Sequence, residues 1–437
     1  MGIAGELLKQ EIRDQIMRKA LIILISGLLM AFGAVAQENG NRLVIGGYGE
    51  VALSRHFYSD NVYRYSHPDN YKNDKSHGRF DIPHAVIYLG YDFGKGWTMQ
   101  SEIEFEHTGT GSAVEKEYTE AGEWETEIEK GGEVELEQFW IQKSFARALN
   151  VRMGHFVVPV GGLNNAHEPL NFFTVYRSEG EYTILPSTWH DTGISLWGEA
   201  GKWRYEAQVI AGLDAFMFDR DNFVGNGAGS PYEFKVANNY GFVARIDNES
   251  VRNLRLSLSG YYGNSMHNSF PNDMRDTRYG ELKGATAIGA FDFAYKSDHF
   301  IVRGNADYGY VGDASTISTV KRNLTSNSAP YKKTPVGQNA MAVGLEAGYD
   351  IFRLFNTGAG DKVFLFGRYD WYDSYIPASG QQEYEYTSRH VATVGLNWLP
   401  LPQIAVKAEY SHRFFKSQFN NEPSVSIGIA YMGFFNR

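Results

Sequence analysis

The stretch LRLSLSGYY at residues 254–262 decides the fold class of this chain. Its three leucines fall on one face of an extended backbone, and its arginine and two serines fall on the other, because successive side chains of a β-strand point to opposite faces. The same period of two recurs from Leu43 almost to the last residue, for example in residues 203–211, 300–310 and 404–410. The chain is therefore predicted to be all-β, with strands that have one apolar and one polar face.

This periodicity divides the chain into sixteen predicted strands, most of them long enough to cross a bilayer, which takes a tilted strand about 9–11 residues. The predicted strands are residues 43–54, 79–93, 97–109, 133–145, 150–156, 191–199, 203–212, 239–246, 254–263, 284–295, 300–310, 339–350, 362–372, 388–399, 404–412 and 424–435. Short turns alternate with long loops between them, and this alternation is typical of outer-membrane barrels. The long loops are residues 55–78, 110–132, 157–190, 213–238, 264–283, 311–338, 373–387 and 413–423.

Aromatic residues and the even number of strands point to the same architecture. Aromatic side chains on the apolar faces lie near strand ends, at Trp97, Trp203, Tyr262, Tyr295, Tyr308, Tyr310, Trp371, Trp398, Tyr410, Tyr431 and Phe435. Rings in such positions form girdles at the two membrane surfaces. An even number of strands lets the first and last strands pair, which leaves no open sheet edge. We therefore predict a closed antiparallel transmembrane β-barrel of about sixteen strands.

Composition excludes several other classes of protein. The chain has 437 residues, a formal net charge of -10 and no cysteine. The negative charge argues against a nucleic-acid-binding protein, which needs a basic surface, and the lack of cysteine excludes disulfides and thiolate sites. Its 28 Phe, 28 Tyr and 8 Trp are too many for a disordered chain. No nucleophile elbow, metalloprotease helix or phosphate-binding loop occurs, so we assign no catalytic residue, cofactor or metal ligand.

Residues 17–36 have the three parts of a secretory signal peptide. They read MRKALIILISGLLMAFGAVA, which is a basic pair, an apolar run of about 13 residues and a small-residue cleavage site. Cleavage is expected after Ala36. Residues 1–16 precede this start and are predicted to be a mis-called N-terminal extension. Residues 37–437 are then the exported barrel domain, with the bacterial outer membrane as its destination.

Three stretches around the long loop at 157–190 resemble a known family. They are RMGHFVVPVGGL at residues 152–163, NFFTVYRSE at 171–179 and DTGISLWG at 191–198. Together they resemble the corresponding segment of the phosphate-selective porin O/P family of Gram-negative outer-membrane porins. The resemblance implies a trimeric sixteen-stranded channel in which the third long loop, residues 157–190, folds inward and narrows the pore. It also implies that Arg152 and Arg177 are among the basic residues of the constriction.

The polar strand faces are predicted to line a wide, water-filled interior. Nine bases fall on them, at Arg152, Arg204, Arg245, Arg255, Arg303, Arg368, Arg389, Lys407 and Arg413. Eleven acids do so, at Glu50, Glu102, Glu104, Glu106, Glu206, Asp292, Asp307, Glu346, Asp350, Asp370 and Glu409. With Arg177 of the loop, the selected pore-lining candidates are Arg152, Arg204, Arg245, Arg255, Arg303, Arg368, Lys407, Glu102, Glu104, Glu206 and Asp307. The near balance between basic and acidic residues favours a general diffusion channel over a specific anion site, unless these charges only pair with one another.

Histidines cluster in sequence around the same loop. His155, His167 and His190 lie near Glu168 and Asp191. A metal site or a hydrolase would use such residues. Scattered loop histidines are more commonly pore-lining or exposed to solvent, and that interpretation is preferred.

The segment 115–137 is strongly acidic. It holds ten glutamates against two lysines. It would either bind divalent cations that bridge to lipopolysaccharide or form a solvated acidic loop, and the second interpretation is preferred. In the predicted strand 133–145 the glutamates of the first half and the apolar residues of the second half both occupy odd-numbered positions. A regular strand would place them on the same face, so a β-bulge is predicted between them.

The sequence therefore predicts an outer-membrane porin for the passive diffusion of small hydrophilic solutes or inorganic ions. Anions such as phosphate are among the candidate solutes. Its expected partners are outer-membrane lipid, lipopolysaccharide and two further copies of the chain in a homotrimer. Two alternatives stay open: a barrel enzyme acting on lipid, which predicts a required serine or histidine, and an adhesive or structural barrel, which predicts an interior filled by loops.

Overall fold

A computed structural model describes residues 42–107, 112–118, 124–130, 133–230, 234–269, 280–323, 333–355 and 361–434. The predicted N-terminal extension and signal peptide lie outside the described residues. The strands within them, numbered in chain order, are β1 Leu43–His56, β2 His77–Asp81, β3 His84–Gly94, β4 Trp97–Glu106, β5 Ser112–Tyr118, β6 Trp124–Lys130, β7 Glu133–Ala146, β8 Leu149–Val157, β9 His190–Ala200, β10 Trp203–Ile210, β11 Gly241–Asn248, β12 Leu254–Asn264, β13 Ala285–Lys296, β14 Phe300–Val311, β15 Asn339–Asp350, β16 Lys362–Ile376, β17 Ser388–Leu401, β18 Ile404–Phe414 and β19 Glu422–Phe434.

Sixteen of these strands form one closed antiparallel wall. Each pairs with the next wall strand along the chain, and β1 closes the ring because it pairs with both β19 and β3. The other three described strands are β2, which pairs with one end of β1, and the separate β5–β6 hairpin. The predicted closed barrel of about sixteen strands is confirmed.

One predicted strand is divided in the structure. Residues 79–93 were expected to form a single strand, but β2 ends at Asp81 and β3 begins at His84. Pro83 lies in the break, and proline interrupts a ladder because it has no N–H to donate. β2 therefore continues beside β1 as a short extension rather than as part of β3.

The predicted long loop at residues 110–132 contains regular structure in the part of it that the structure describes. β5 and β6 pair there as a hairpin, with Ser112 opposite Lys130. Valine, tyrosine, tryptophan and isoleucine are spaced through the glutamates of this segment. These residue types favour extended backbone, and the high charge of the segment concealed that signal.

The wall strands are apolar outside and polar inside. On β12, 59 % of Leu258 is exposed, whereas only 2 % of the neighbouring Ser257 is exposed. The predicted girdle residues that are exposed on the described wall include Trp97, Trp203, Tyr262, Tyr308, Tyr310, Trp398, Tyr410 and Tyr431. Phe435 lies outside the described residues. This distribution is the one that a barrel wall needs in a lipid bilayer.

Strand β7 contains the predicted bulge. Its register with β4 skips Glu137. Leu136 and Phe139 are exposed on the outer face, while Glu137 and Gln138 are both buried. A bulge places two residues opposite one and so changes the parity of the residues that follow. The conflict of alternations in this strand therefore has a structural cause.

The connections contain short helices: α1 Pro68–Tyr71, α2 Glu179–Ile184, α3 Ala314–Arg322 and, in a short connection, α4 Phe352–Phe355, with 3-10 turns at Val62–Tyr65, Ala215–Met217, Gly225–Ala228, Ser265–Asn268 and Glu385–Thr387. None of the described helices has the length and apolar character needed to span a membrane.

The largest buried apolar cluster lies where the long connections meet the inner face of the wall. Trp189 precedes β9, Phe216 and Phe223 lie between β10 and β11, and Ile317 belongs to α3. These side chains pack with inward-facing wall residues such as Ile288. The cluster fixes several connections against one side of the barrel, and we call it the loop core.

Candidate functional site: the barrel interior

Residues 158–189, which connect β8 to β9, run along the interior of the barrel; we call them the inner segment. Near its beginning the Gly161 N–H donates to Ser259 Oγ over 3.0 Å, and the Gly161 carbonyl accepts from Arg245 on β11 over 2.9 Å. Further along, the Val175 N–H donates to Glu409 on β18 over 2.8 Å. Strands β11 and β18 are seven positions apart in the ring of sixteen. The segment therefore contacts nearly opposite sides of the wall.

An asparagine holds the two ends of the inner segment together. Asn164 Nδ2 donates to the carbonyl oxygens of Val160 at 2.9 Å and Pro186 at 3.0 Å. Its Oδ1 accepts from the Trp189 N–H at 2.9 Å. The side chain of Asn164 thus makes three hydrogen bonds to backbone groups at both ends of the segment. These bonds hold the point where the segment leaves the wall close to the point where it rejoins it.

Inward-facing residues of β15, β16 and β18 hold the middle of the segment. Lys407 donates to the carbonyl oxygens of Pro169, Phe172 and Thr174 at 2.6, 3.1 and 2.8 Å. The Phe173 ring stacks on Phe366 with 5.4 Å between centroids. The segment is therefore attached by both charge-assisted and apolar contacts.

Helix α2 forms further contacts with the wall. Glu179 accepts from Arg413 Nε over 2.7 Å and from the Tyr372 hydroxyl over 3.0 Å. Glu181 is buried, and its Oε1 accepts from the Leu163 N–H over 2.7 Å. Burial, with the nearby negative charge of Asp292, raises the pKa of the Glu181 carboxyl to about 7 despite that hydrogen bond. The segment thus contains an acid that titrates near neutral pH.

Four of the predicted pore-lining bases lie on β8 and on the consecutive strands β10, β11 and β12: Arg152, Arg204, Arg245 and Arg255. Arg204 Nη2 lies 2.7 Å from Glu206 Oε2. Arg245 Nη1 and Arg255 Nη2 lie 2.9 and 3.2 Å from the carboxylate of Asp292. A cavity of about 420 Å³ opens beside Arg204, Arg245 and Arg255. The predicted acid Glu206 is therefore a partner of this group.

A second group of predicted residues lies on β14 to β18. Arg303 forms an ion pair with Glu346, and Arg368 Nη2 lies 2.6 Å from Asp370 Oδ1. Asp307 accepts from Asn305 over 2.7 Å. A cavity of about 200 Å³ separates Arg255, Arg303 and Arg368 from the inner segment. Lys407, as described, is used by the segment itself.

Arg152 and Arg177, the two bases that the family resemblance pointed to, have different surroundings. The Arg152 guanidinium lies 4.6 Å from the centre of the Trp140 ring and 4.0 Å from Glu206. Arg177 is buried, and its Nε donates to the His167 carbonyl over 3.3 Å. Both guanidiniums are largely enclosed by protein, whereas Arg255 and Arg303 line a cavity.

The predicted acids Glu102 and Glu104 lie on β4, across the barrel from β14. Both are buried. Glu102 accepts from Gln138, and Glu104 Oε1 lies 2.5 Å from His84 Nδ1. They belong to a dense cluster of carboxylates and histidines between the wall and the inner segment.

A network that the sequence did not predict lies at the end of the barrel where the long connections are found. Glu422 on β19 accepts from Arg64 over 2.7 Å and from Arg413 over 2.6 Å. The Tyr65 ring stacks on Tyr386 with 4.6 Å between centroids. Arg64, Tyr65 and Tyr386 lie in aperiodic connections. Periodicity, the signal that located the wall residues, could not have found them.

The structure brings part of the predicted histidine cluster together. The His190 ring centroid lies 6.1 Å from that of His155 and 6.2 Å from that of His167. Glu168 instead accepts from Asn171, and Asp191 accepts from backbone N–H groups. Two groups of histidines and carboxylates in the described chain have ligand atoms close enough to hold a metal ion: His84, Glu104 and Glu106; and Glu102, Glu137 and His190.

Comparisons with known proteins support the fold. No family model matches the chain. A protein of Aquifex aeolicus (strain VF5) described as uncharacterized is 26% identical over 386 residues, which cover 86% of this chain and 77% of that protein.

Solved structures with the same fold have little sequence identity to this chain. The Salmonella typhi OmpF complex with daunomycin superimposes with a TM-score of 0.52 at 12% identity, over 90% of this chain and 98% of that one. The outer membrane channel DcaP of Acinetobacter baumannii gives 0.51 at 9% identity, over 92% and 100%. At these identities the similarity establishes that the chain has the architecture of these outer-membrane barrels.

Proposed function

We propose that this protein is an outer-membrane porin through which small hydrophilic solutes and ions diffuse passively. The observation that carries this proposal is the charged interior: Arg255, Arg303 and Arg368 line a gap between the inner segment and an outwardly apolar wall. Charged groups there keep an interior wet and favour polar solutes over apolar ones. The similarity in fold to OmpF and to a structure described as an outer membrane channel supports the same interpretation.

The inner segment is the constriction of this channel. It contacts β11, β12, β15, β16 and β18 through hydrogen bonds, ion pairs and stacked rings. A solute that crosses the interior has to pass between it and the wall. Arg255, Arg303 and Arg368 are therefore better placed than Arg152 and Arg177 to meet the solute.

The channel has weak ionic selectivity. Arg204, Arg245 and Arg368 each lie within 3 Å of a carboxylate oxygen, so an anion such as phosphate would have to compete with a fixed carboxylate for the guanidinium. A lumen of paired charges presents little net field. We infer diffusion of both ion signs, with phosphate passing as one small anion among others.

Export and assembly follow from the same proposal. The signal peptide cleaved after Ala36 directs the chain to the bacterial outer membrane. The exposed leucines and aromatic rings of the wall contact lipid and lipopolysaccharide there. A homotrimer is the assembly that the resemblance to the porin O/P family implies, and crosslinking of the folded protein in native membranes would test it.

Planar-bilayer recording tests the function. We expect stepwise conductance from purified folded protein, a small reversal potential under a KCl gradient, and no block when phosphate is added. Strong anion selectivity with phosphate block would replace the general porin by a phosphate-specific one. Protein that is heat-unfolded before addition is the control for detergent artefacts.

The loop core favours a second candidate, a structural or adhesive barrel with a closed interior. Phe216, Phe223 and Ile317 are fully buried inside one end of the barrel. A barrel without conductance, although folded by the same criteria, would support this candidate and contradict the porin.

A further inference from the structure

We propose that Glu102, Glu137 and His190 bind a divalent transition-metal ion that joins strands β4 and β7 to the start of β9, directly after the inner segment. Glu102 lies on β4, Glu137 on the bulge of β7, and His190 is the first residue of β9. One potential ligand atom from each lies within 4.8 Å of the others. This site is separate from the arginine-lined cavities of the proposed channel, and its existence does not depend on conductance.

Each of the three side chains has one buried polar atom without a hydrogen-bond partner among the described residues. These atoms are Glu102 Oε1, Glu137 Oε2 and His190 Nε2, with His167 Nε2 close by. The side chains of Glu137 and His190 are only 1% and 7% exposed, so water does not readily compensate. A buried polar atom without a partner costs about 1–3 kcal/mol, and three together in one place indicate a missing ligand.

The partners of the remaining atoms orient the ligands. Thr188 Oγ1 donates to Glu137 Oε1 over 2.6 Å, and Gln138 donates to Glu102 Oε2. His167 Nδ1 lies 3.0 Å from the Asn164 carbonyl. That contact requires a proton on Nδ1, which leaves Nε2 with its lone pair. Metal-ligating histidines and carboxylates are typically fixed in this way by a hydrogen bond to their other polar atom.

The buried carboxyl groups of the cluster favour the binding of a cation. Glu102, Glu104 and Glu137 are three buried carboxylates close together, and the nearby fixed positive charge is that of Arg177. Ionised carboxylates cannot be buried together without compensation. Burial opposes ionisation of all three carboxyls, and a divalent ion would supply the positive charge that lets them bind as carboxylates.

The bulge in β7 places Glu137 in the cluster. Without it, the alternation of the strand would put either Glu137 or Gln138 on the outer, lipid-facing side, whereas both are buried. Bulges disrupt a ladder locally and are commonly found where a side chain has to be redirected. This one delivers a second carboxylate to the position beside Glu102.

The donor set indicates the class of metal. Two carboxylates with one imidazole, and a second imidazole nearby, suit Zn²⁺, Mn²⁺ or Fe²⁺ better than Ca²⁺, which prefers oxygen ligands alone. The site is closed and lies between wall and segment. Its role is therefore structural: binding energy at the site holds β4 and β7 to the start of β9, where the inner segment rejoins the wall.

The test uses Zn²⁺ alone as the probe. Full-length mature protein is refolded with or without equimolar Zn²⁺, passed through a desalting column, and analysed for metal per folded chain. We expect about one Zn²⁺ per chain in wild type and a loss of affinity of about tenfold or more in Glu137→Gln. His299→Ala is the matched control, because His299 also lies beside a carboxylate, with 3.4 Å between its Nδ1 and Asp350, but outside the cluster.

Equal Zn²⁺ content in wild type and Glu137→Gln, or no retained Zn²⁺ in wild type, would overturn the proposal. If Glu137→Gln does not fold, zinc-edge X-ray absorption of the wild type decides, with nitrogen and oxygen ligands expected at about 2.0–2.2 Å. A first shell of water oxygens alone would contradict the site. Conductance is not part of this measurement, so failure here leaves the channel proposal intact.

Discussion

The ammonium of Lys407 lies 2.6 Å from the carbonyl oxygen of Pro169, and this contact joins strand β18 to the middle of the inner segment. The same ammonium also donates to the carbonyls of Phe172 and Thr174. An ammonium has three hydrogens to donate, and all of them are used here. Lys407, which the sequence placed among the pore-lining charges, therefore acts as an anchor of the inner segment.

Replacing Lys407 with methionine should release the middle of the inner segment. Three buried carbonyl groups would lose their donor, at about 1–3 kcal/mol for each that stays unsatisfied. Because the chain has no cysteine, Asn171→Cys provides a unique reporter. We expect Lys407→Met to raise the rate at which a membrane-impermeant thiol reagent labels this cysteine by about tenfold, which corresponds to about 1.4 kcal/mol.

Lys416→Met is the control for that experiment. Lys416 is exposed and pairs with a surface carboxylate, Glu385, at 2.5 Å, so its loss should leave the labelling rate unchanged. If Lys407→Met labels at the wild-type rate, Lys407 does not anchor the segment.

Arg255 should contribute to ion selectivity. It lines the gap between the inner segment and the wall and shares Asp292 with Arg245. Arg255→Ala leaves Asp292 paired with Arg245 alone, so the gap becomes more negative. The chloride-to-potassium permeability ratio should fall by about two- to threefold in 0.1 M KCl and by less in 1 M KCl, where salt screens the charge more strongly.

The comparison for this prediction is Arg252→Ala, because Arg252 lies in an exposed turn outside the interior. Reversal potentials from bilayer recordings measure both variants. An unchanged ratio in Arg255→Ala at low salt would show that solutes do not pass this arginine.

The wall could be predicted because each of its strands repeats the same two-residue pattern against lipid. Leu258 and Ser257 illustrate it: the first faces outward and the second inward, as the alternation indicates. The bulge at Glu137 was also detectable, as a conflict of parity. By contrast, Pro83 interrupts a strand because proline has no backbone N–H to donate to the neighbouring strand. The side chains on either side of it still alternate, so the pattern of apolar and polar residues did not reveal the interruption.

The interior was less predictable because its contacts join distant parts of the chain. Charge and facing identified Arg204, Arg245 and Arg255, but not which carboxylate each would contact. Arg177 is buried in the inner segment, where its Nε donates to the His167 carbonyl, a contact that charge and facing did not predict. The loop core had no sequence signal, since Phe216 and Phe223 lie in a connection without periodicity.

Gly309→Ala tests whether the loop core holds the long connections in place. A Cβ at this inward-facing position on β14 would overlap the Phe223 ring. Overpacking of this kind costs about 1–3 kcal/mol. We expect a lower temperature for the heat-induced shift in gel mobility and faster proteolysis between β10 and β11.

Gly289→Ala is the matched glycine substitution, because nothing lies within 4 Å of a Cβ there. It should leave both measurements at the wild-type values. Equal effects of the two variants would point to the strand backbone rather than to the loop core. If Gly309→Ala also raises conductance, the loop core restricts the channel at this end.

Attachment of the inner segment should weaken as pH rises through neutrality. Burial raises the pKa of Glu181 to about 7 in the attached segment, from an ordinary value of 4.5. An acid with a raised pKa favours the attached state fully below the ordinary value, and this advantage is lost between pH 4.5 and pH values above 7 as the carboxyl ionises. Labelling of Asn171→Cys, corrected for the ionisation of the thiol itself, should therefore accelerate between pH 5 and 8. Glu181→Gln should remove this acceleration, whereas Glu281→Gln, at an exposed position, should retain it; a pH profile that is the same in both variants would exclude Glu181 as its origin.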